Sequence, residues 1–338
     1  MKMMIRLCFL LLVIFICLSK TGVSRIEKIT LSDGARIRLG HWLPKKTSPH
    51  PAIILLLQGR SSYIEKFEET IEDLRVRGYE VWTFDWRGSG GSSRLIASNS
   101  QKVHIDTYET YINDLDYIIR THIKPHRQAP IILMGISMGG HLALRFIEEK
   151  PKEVAGAFLV APMLNLNTRP YPVWFARLMV STAYYLGFGS SYAFGYGDYQ
   201  LNLKIDPQKV ATTDLARYRR QLDLNLSRMS LVTAGPTFGW VHQTFNSIDL
   251  VNSPSSLKKI SVPVMIIRAG QENVVDASQD PSLCATISQC KFKTYEKARH
   301  NILIEQDAIR TALFKDLEEF ASLISETETY LITNLTSK

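Results

Sequence analysis

Pro130-Ile131-Ile132-Leu133-Met134-Gly135-Ile136-Ser137-Met138-Gly139-Gly140-His141 is the stretch on which the fold of this chain turns. Its first half is a continuous apolar run, the pattern of a strand buried on both faces. Its second half runs into His141–Lys150, where Leu142, Ala143, Phe146 and Ile147 are spaced for a helix. Between them, Gly135 to Gly139 reads G-x-S-x-G at a strand-to-helix junction, the arrangement of a nucleophile elbow. Such a turn is so tight that positions 135 and 139 can carry no bulk. It lifts the Ser137 hydroxyl off the sheet end and aims the free N–H groups of the helix N-terminus at the same point.

Outward from the elbow, strands and helices alternate. Residues 25–44 read as a hairpin, with Ile29 and Leu31 before an Asp33-Gly34 turn and Ile37, Leu39 and Trp42 after it. Ala52–Leu57 is a second buried strand, and Tyr63–Arg77 a helix with Ile64, Phe67, Ile71 and Leu74 on one side. Tyr79–Phe84 is a strand, Thr107–Ile123 a helix, and Ala157–Ala161 the strand after the elbow helix. The alternation predicts an α/β protein with a mostly parallel sheet covered on both faces. It stops near Pro162 and resumes at Val262–Ile267. The intervening stretch of roughly 95 residues is long for a connection in a compact domain, and such insertions are usually lids or binding loops. It is dense in aromatics, among them Tyr171, Trp174, Phe175, Tyr185, Phe194 and Trp240, which suits an apolar acyl substrate; packing of the insertion on the sheet is the alternative use. We place this lid at about residues 164–258.

A serine hydroxyl is a weak nucleophile unless a base takes its proton and a third group orients the base. On an elbow architecture the partners follow in the order acid, then histidine. Of eight histidines, His300 stands in the right context: after the short strand Lys291–Tyr295 and before the last helix, Ile304–Ser325. His141 lies one turn into the elbow helix and is read as a packing or surface residue; His242, in the insertion, is a weaker rival. The acid is expected in the loop Ala269–Asp276, where Glu272 and Asp276 compete. Glu272 stands just past the strand and is preferred; Asp276 stands where a helix begins, suited to N-capping, and is the alternative acid. An oxyanion needs two preorganised donors. The Met138 amide is one, and the Arg60 amide, in the loop Gln58-Gly59-Arg60-Ser61-Ser62, is the other. The Arg60 side chain is also suited to meeting a phosphate.

The whole chain has 338 residues, 45% hydrophobic and 21% charged, with a formal charge of +8. That suits one large α/β domain or two average ones. The basic residues are scattered and form no dense run with interleaved aromatics, so nucleic acid is not expected; a solvated basic surface is the default, and attraction to anionic lipid comes next. Lys2 and Arg6 precede the apolar run Leu7–Leu18, which polar residues follow. This reads as a signal peptide or an N-terminal membrane anchor over residues 1–21, and places the remainder, 22–338, outside the cytosol or at a membrane. Outside the leader only Cys284 and Cys290 remain, a disulfide candidate in an exported protein. No His or Cys pair shows zinc spacing, and neither a metal nor a cofactor is expected.

Gln58-Gly59-Arg60, Asp85-Trp86-Arg87-Gly88-Ser89-Gly90-Gly91-Ser92, the elbow, Gly235-Pro236-Thr237-Phe238-Gly239-Trp240, the Glu272 loop and Ala298-Arg299-His300 occur in one order. In this the chain resembles the serine-aminopeptidase-like α/β-hydrolases, especially the bacterial lysophospholipase and monoacylglycerol lipase branch, over roughly residues 25–325. The resemblance implies an α/β-hydrolase fold with an inserted lid, and a serine esterase acting on a single-acyl lipid. It also implies that Asp85 and Arg87 are buried structural partners. Gln58 stands where many relatives carry His, and Glu272 where many carry Asp. The rivals are a general esterase or an aminopeptidase on the same triad, and a non-catalytic membrane-associated binding protein. A free-amine substrate would call for a carboxylate pair at the lid, and no obvious one stands beside its aromatics, where Asp198 is isolated. Oligomeric state is left open.

Overall fold

Apolar runs without polar alternation need cover on both faces, and the chain supplies it. The computed structural model describes residues 25–127, 129–200 and 205–336. Among these, eight strands form one sheet: β1 (Arg25–Thr30), β2 (Arg36–Trp42), β3 (Ile53–Leu57), β4 (Glu80–Phe84), β5 (Ile131–Ile136), β6 (Gly156–Val160), β7 (Val264–Ala269) and β8 (Cys290–Tyr295). Their order is β1-β2-β4-β3-β5-β6-β7-β8. β2 runs antiparallel to both its neighbours, and from β4 onward every pairing is parallel. The helices are α1 (Glu68–Val76), α2 (Tyr108–Ile118), α3 (Met138–Glu149), α4 (Val173–Ala183), α5 (Leu215–Ser227), α6 (Phe238–Val251), α7 (Pro254–Leu257), α8 (Asp280–Thr286) and α9 (Asp307–Thr336). The apolar leader read over residues 1–21 lies outside the described residues. Among the described residues no helix is long and apolar enough to cross a membrane.

Period-two alternation splits each buried strand between two cores. Ile53, Leu55 and Leu57 of β3 join Ile131 and Leu133 of β5 against Tyr111 and Leu115 of α2 and Leu142 and Phe146 of α3. Ile54, Leu56, Ile132 and Met134 face the other way, onto Ile71 and Leu74 of α1 and Leu313, Phe314 and Leu317 of α9. Each fully buried side chain of this kind stabilises the fold by about 1.5–3 kcal/mol relative to exposure.

Element ends depart from their sequence reading where local chemistry intervenes. The helix expected from Tyr63 opens as a 3-10 turn, Ile64–Phe67, before α1. That expected to run to Ile123 is α-helical only to Ile118 and widens into a π turn at Ile119–Ile123. Its start is sharp, because the Thr107 side chain caps it by accepting from the Glu109 amide.

The insertion between β6 and β7 is helical and has two parts. α6 is bonded to the body: Tyr108 Oη lies 2.8 Å from Thr244 Oγ1 and His141 Nε2 2.7 Å from Ser247 Oγ. Trp240 and Val251 of α6 belong to the same core as β3 and β5. α4 lies outside α6, held by Arg177, whose guanidinium donates two bonds to the Asp249 carboxylate at 2.5 Å. α4 and the turn after it carry exposed apolar side chains, with Trp174 67% and Tyr185 77% exposed.

Candidate active site

Ser137 sits at φ 52°, ψ −116°, between β5 and α3. Few non-glycine residues adopt positive φ, and doing so places strain at this turn. Sterics explain the flanking glycines. A Cβ on Gly135 would lie 2.5 Å from the Gly139 carbonyl oxygen, and one on Gly139 would lie 2.1 Å from that of Leu57. The Ser137 amide is held by the Val160 carbonyl at 3.1 Å, and the Ser137 carbonyl accepts from Gly140, His141 and Met163. The elbow is thereby bonded to its own helix and to the segment after β6.

His300 reaches Ser137 from beyond β8. Its loop is pinned by Gln271 donating to the Ala298 carbonyl at 2.9 Å and by the Asn301 amide donating to Ala211 at 2.7 Å. His300 Nε2 lies 3.0 Å from Ser137 Oγ, and Nδ1 lies 2.8 Å from Glu272 Oε2. A carboxylate can only accept, so Nδ1 carries the proton and Nε2 is left to accept from the Ser137 hydroxyl. Glu272 is fixed by its other oxygen, which accepts from the amides of Val274 at 2.8 Å and Val275 at 3.1 Å. Burial pushes the Glu272 carboxyl up, but the bond from His300 and the two turn amides outweigh it and hold it below the usual range. A hydroxyl, an imidazole and a carboxylate in this line can pass the serine proton to the imidazole while the carboxylate holds its tautomer.

Asp276, the alternative acid, turns elsewhere: its Oδ1 accepts from the Ser278 amide at 3.0 Å. It does not cap a helix as expected, because α8 starts later, at Asp280, after Gln279. His141 is buried, and burial takes its pKa down to about 3. His242 stacks on Tyr184 with ring centroids 4.3 Å apart and bonds to Ser181, on the α4 side. Cys284 and Cys290 are joined, with Cα atoms 5.4 Å apart, bridging the end of α8 to the start of β8.

Met138 begins α3, so its amide is one of those a helix leaves without an intrahelical acceptor. The peptide ahead of Arg60 lies beside Ser137, since a Cβ on Gly59 would be 3.4 Å from Ser137 Cβ. What positions this loop was not legible from its motif. The Gln58 side chain points away from the elbow, into a buried cluster, with Nε2 3.3 Å from Thr83 Oγ1 and 3.4 Å from Asp85 Oδ1. Asp85 also accepts from the amides of Ile64 at 2.8 Å and Gly91 at 2.7 Å and pairs with Arg38 at 3.0 Å. Burial pushes Asp85 up to about 6, against the Gly91 amide and Arg38. Arg87 pairs instead with Asp114, through Nε at 2.9 Å and Nη2 at 2.7 Å.

A cavity of about 960 Å³ opens onto Ser137 and His300. Phe67, Tyr171, Phe175, Phe194, Trp240 and Phe245 line much of it. Of the insertion aromatics singled out in sequence, Tyr171, Phe175, Phe194 and Trp240 therefore face the cavity, whereas Trp174 and Tyr185 face outward. Among the described lining residues there is no Asp or Glu, and Arg60, Lys66 and Arg169 are present. Asp198 is outside the cavity wall and accepts from Asn99 at 2.7 Å. Lys66 was not singled out in sequence; nothing in its neighbourhood marks it, and it lies in the 3-10 turn Ile64–Phe67, which the fold brings to the cavity wall.

The model of the family described as "Serine aminopeptidase, S33" matches residues 48–307. A relative named "Probable lysophospholipase L2", from Haemophilus influenzae, is 28% identical over 274 residues, 81% of this chain and 84% of its own length. The monoglyceride lipase of Homo sapiens is 22% identical over 294 residues, covering 86% of this chain and 88% of that one. Among solved structures, a soluble variant of the Saccharomyces cerevisiae monoglyceride lipase in complex with a substrate analog superposes with a TM-score of 0.72. It has 21% identity and covers 90% of this chain and 96% of that one.

Proposed function

Because the chain belongs to the serine aminopeptidase family of α/β-hydrolases, we propose that Ser137, His300 and Glu272 are its catalytic triad and that it releases fatty acid from a single-acyl lipid. The observation that carries this reading is the hydrogen-bonded line from Ser137 through His300 to Glu272, opening into a cavity of about 960 Å³ walled by aromatic side chains. The names of the lysophospholipase and monoglyceride lipase relatives support it.

In this mechanism His300 Nε2 takes the Ser137 proton as Oγ attacks the ester carbonyl. Glu272 holds the Nδ1 proton and stabilises the imidazolium. The Met138 and Arg60 amides receive the oxyanion. His300 then protonates the departing glycerol or glycerophosphate oxygen, and the acyl-enzyme is hydrolysed by a water that His300 deprotonates. An aminopeptidase reading is disfavoured, because a substrate ammonium would find no carboxylate among the described residues of the cavity wall.

The outer part of the insertion, within about residues 164–258, serves as the lid. Its exposed Trp174, Leu178, Tyr185, Leu186 and Phe188 are suited to rest on a lipid surface, from which the substrate would enter. An exported or surface-held location, as read from the leader sequence, agrees with this use.

The test is fatty-acid release from a lysophospholipid and from a monoacylglycerol by the full chain and by its Ser137→Ala form. Release that the substitution abolishes supports the triad. Equal release from both proteins, or none from folded wild type on either lipid, removes the assignment.

A further inference from the structure

We propose that Arg60 and Lys66 form a subsite for the phosphate of a lysophospholipid headgroup, so that the site is built for an anionic single-acyl lipid rather than a neutral one. This rests on the hydrolase reading above and names the substrate class within it.

Cations in partly desolvated protein walls are normally paired with carboxylates. In the elements around this site several are. Arg38 meets Asp85 and Glu65, Arg228 meets Glu65 at 3.1 Å, and Arg217 meets Glu69 at 2.7 Å and Asp214 at 2.8 Å. Arg60 and Lys66, which line the cavity and, unlike Arg169, are not exposed, are different. Among the described residues neither has a carboxylate oxygen within 4.0 Å. The Arg60 guanidinium donates to the Ala234 carbonyl through Nη1 at 3.3 Å and lies over the rings of Trp240 at 5.6 Å and Tyr196 at 5.9 Å. The Lys66 ammonium donates to the Ser61 carbonyl at 3.4 Å and lies over Tyr63 at 4.9 Å. Both side chains line the cavity that holds Ser137. The Arg60 fork therefore keeps most of its donors for something that enters.

The two cations are held together by one short segment. Ser61, at φ 59°, turns the loop back on itself. Its hydroxyl donates to the same Ala234 carbonyl as Arg60, at 3.0 Å, while its own carbonyl receives Lys66. An arginine fork and a lysine point charge on one wall are a phosphate-binding chemistry. Burial lowers both cations, Lys66 to about 8, and an arriving anion would reverse that shift.

Position agrees as well. The Arg60 peptide lies beside Ser137, so its guanidinium starts one side-chain length from the reacting carbonyl. In a 1-acyl glycerophospholipid the phosphorus is separated from the ester carbon by the glycerol, a comparable span. With the acyl chain among the aromatics, the headgroup phosphate falls toward Arg60 and Lys66. A monoacylglycerol presents only hydroxyls there and leaves both cations unpaired.

The experiment compares kcat/KM of the full chain for 1-oleoyl lysophosphatidylglycerol and for 1-monooleoylglycerol, both in neutral detergent micelles, in wild type, Arg60→Met, Lys66→Met and Arg60→Lys. Circular dichroism and melting verify that each variant is folded. Either methionine variant should lower the ratio of the two kcat/KM values on the order of 10- to 100-fold, the loss expected for a charge-assisted contact. Arg60→Lys should recover part of it, because the charge remains and the fork is lost. Arg60→Met keeps the backbone amide proposed as an oxyanion donor, and the ratio cancels any change common to both substrates. A ratio within about threefold of wild type in both methionine variants, with Ser137-dependent hydrolysis of monooleoylglycerol intact, overturns the phosphate subsite and leaves the hydrolase standing. Absence of Ser137-dependent hydrolysis of either lipid by wild type overturns the hydrolase reading itself.

Discussion

Replacing Glu272 by Gln changes one atom in the line that leads to Ser137, and the surroundings dictate which way the new amide must face. Oε1 of Glu272 accepts from two backbone amides, Val274 at 2.8 Å and Val275 at 3.1 Å. An NH2 group placed there would oppose two N–H donors, so the Gln carbonyl oxygen must take that position. The NH2 group then occupies the place of Oε2, 2.8 Å from His300 Nδ1, and donates to it. Nδ1 becomes the acceptor, Nε2 carries the proton, and Nε2 can no longer receive the Ser137 proton across 3.0 Å. The same amide replacement in a Ser-His-acid triad lowers kcat by about 10⁴, which at about 1.36 kcal/mol per tenfold is about 5–6 kcal/mol of transition-state stabilisation. The assay is steady-state hydrolysis of a short-chain ester and of a lysophospholipid at pH 7 to 8, with urea denaturation showing that the variant is folded. Asp276→Asn is the control. The Asp276 carboxylate accepts from its own turn at Ser278, and its loss should change kcat less than about twofold. A Glu272→Gln loss below about tenfold, or a loss of similar size in Asp276→Asn, would refute the assignment of Glu272 as the acid.

Three further outcomes follow from the packing. Both carboxylate oxygens of Asp280 are buried without a hydrogen-bond partner among the described residues, and burial, against the pull of Arg268, pushes the carboxyl up to about 8 from an ordinary 3.8. The folded chain therefore holds a proton that the unfolded chain releases above pH 4, and stability falls as pH rises toward 8, by about 1.4 kcal/mol per unit. Asp280→Asn should gain on wild type by about 4 kcal/mol between pH 5 and pH 8 in urea denaturation; a difference independent of pH would show that Asp280 ionises normally. Gly139→Ala would place a Cβ 2.1 Å from the Leu57 carbonyl oxygen, which is backbone of a buried strand and has no room to yield. It should cost about 3 kcal/mol and the Ser137-dependent activity, and a variant with the wild-type denaturation midpoint and rate would contradict the elbow geometry. The Cys284–Cys290 bridge closes a short loop with a sequence separation of 6. Replacing both cysteines by serine should cost about 2 kcal/mol by loop-closure entropy and leave hydrolysis intact, and two free thiols found by mass spectrometry in protein made in an oxidising compartment would refute the pairing.

The elbow was legible because everything that makes it is local. A strand run, two glycines and a helical repeat fall within one short window, and backbone sterics at Ser137 demand them together. The sheet was legible for a related reason: uninterrupted apolar runs must be covered on both sides. His300 and Glu272 were expected beside Ser137 from chain order, because a parallel sheet brings the loops after successive strands to the same end, and the three side chains do lie in hydrogen-bonding reach. Between Glu272 and Asp276, the position just past the strand favoured Glu272, and it is Glu272 that lies 2.8 Å from His300 while Asp276 accepts from the Ser278 amide. Other features depend on which surfaces meet, and no window contains them. α6 reads as part of an insertion, yet hydrogen bonds from Tyr108 and His141 tie it to the body. Gln58 reads as part of an oxyanion loop, yet its side chain turns to Thr83 and Asp85, from a different strand.

The sequence by itself determined the strand–helix alternation and the strained turn that carries Ser137, since these follow from short-range sterics and the period of hydrophobic burial. Only the tertiary structure decided which buried charges are neutralised. Arg38 found Asp85 and Glu65, while Arg60 and Lys66 were left facing the cavity without a carboxylate among the described residues. Pairing of charges is a matter of distances of a few ångströms between residues far apart in the chain, and those distances exist only after the strands have taken their register.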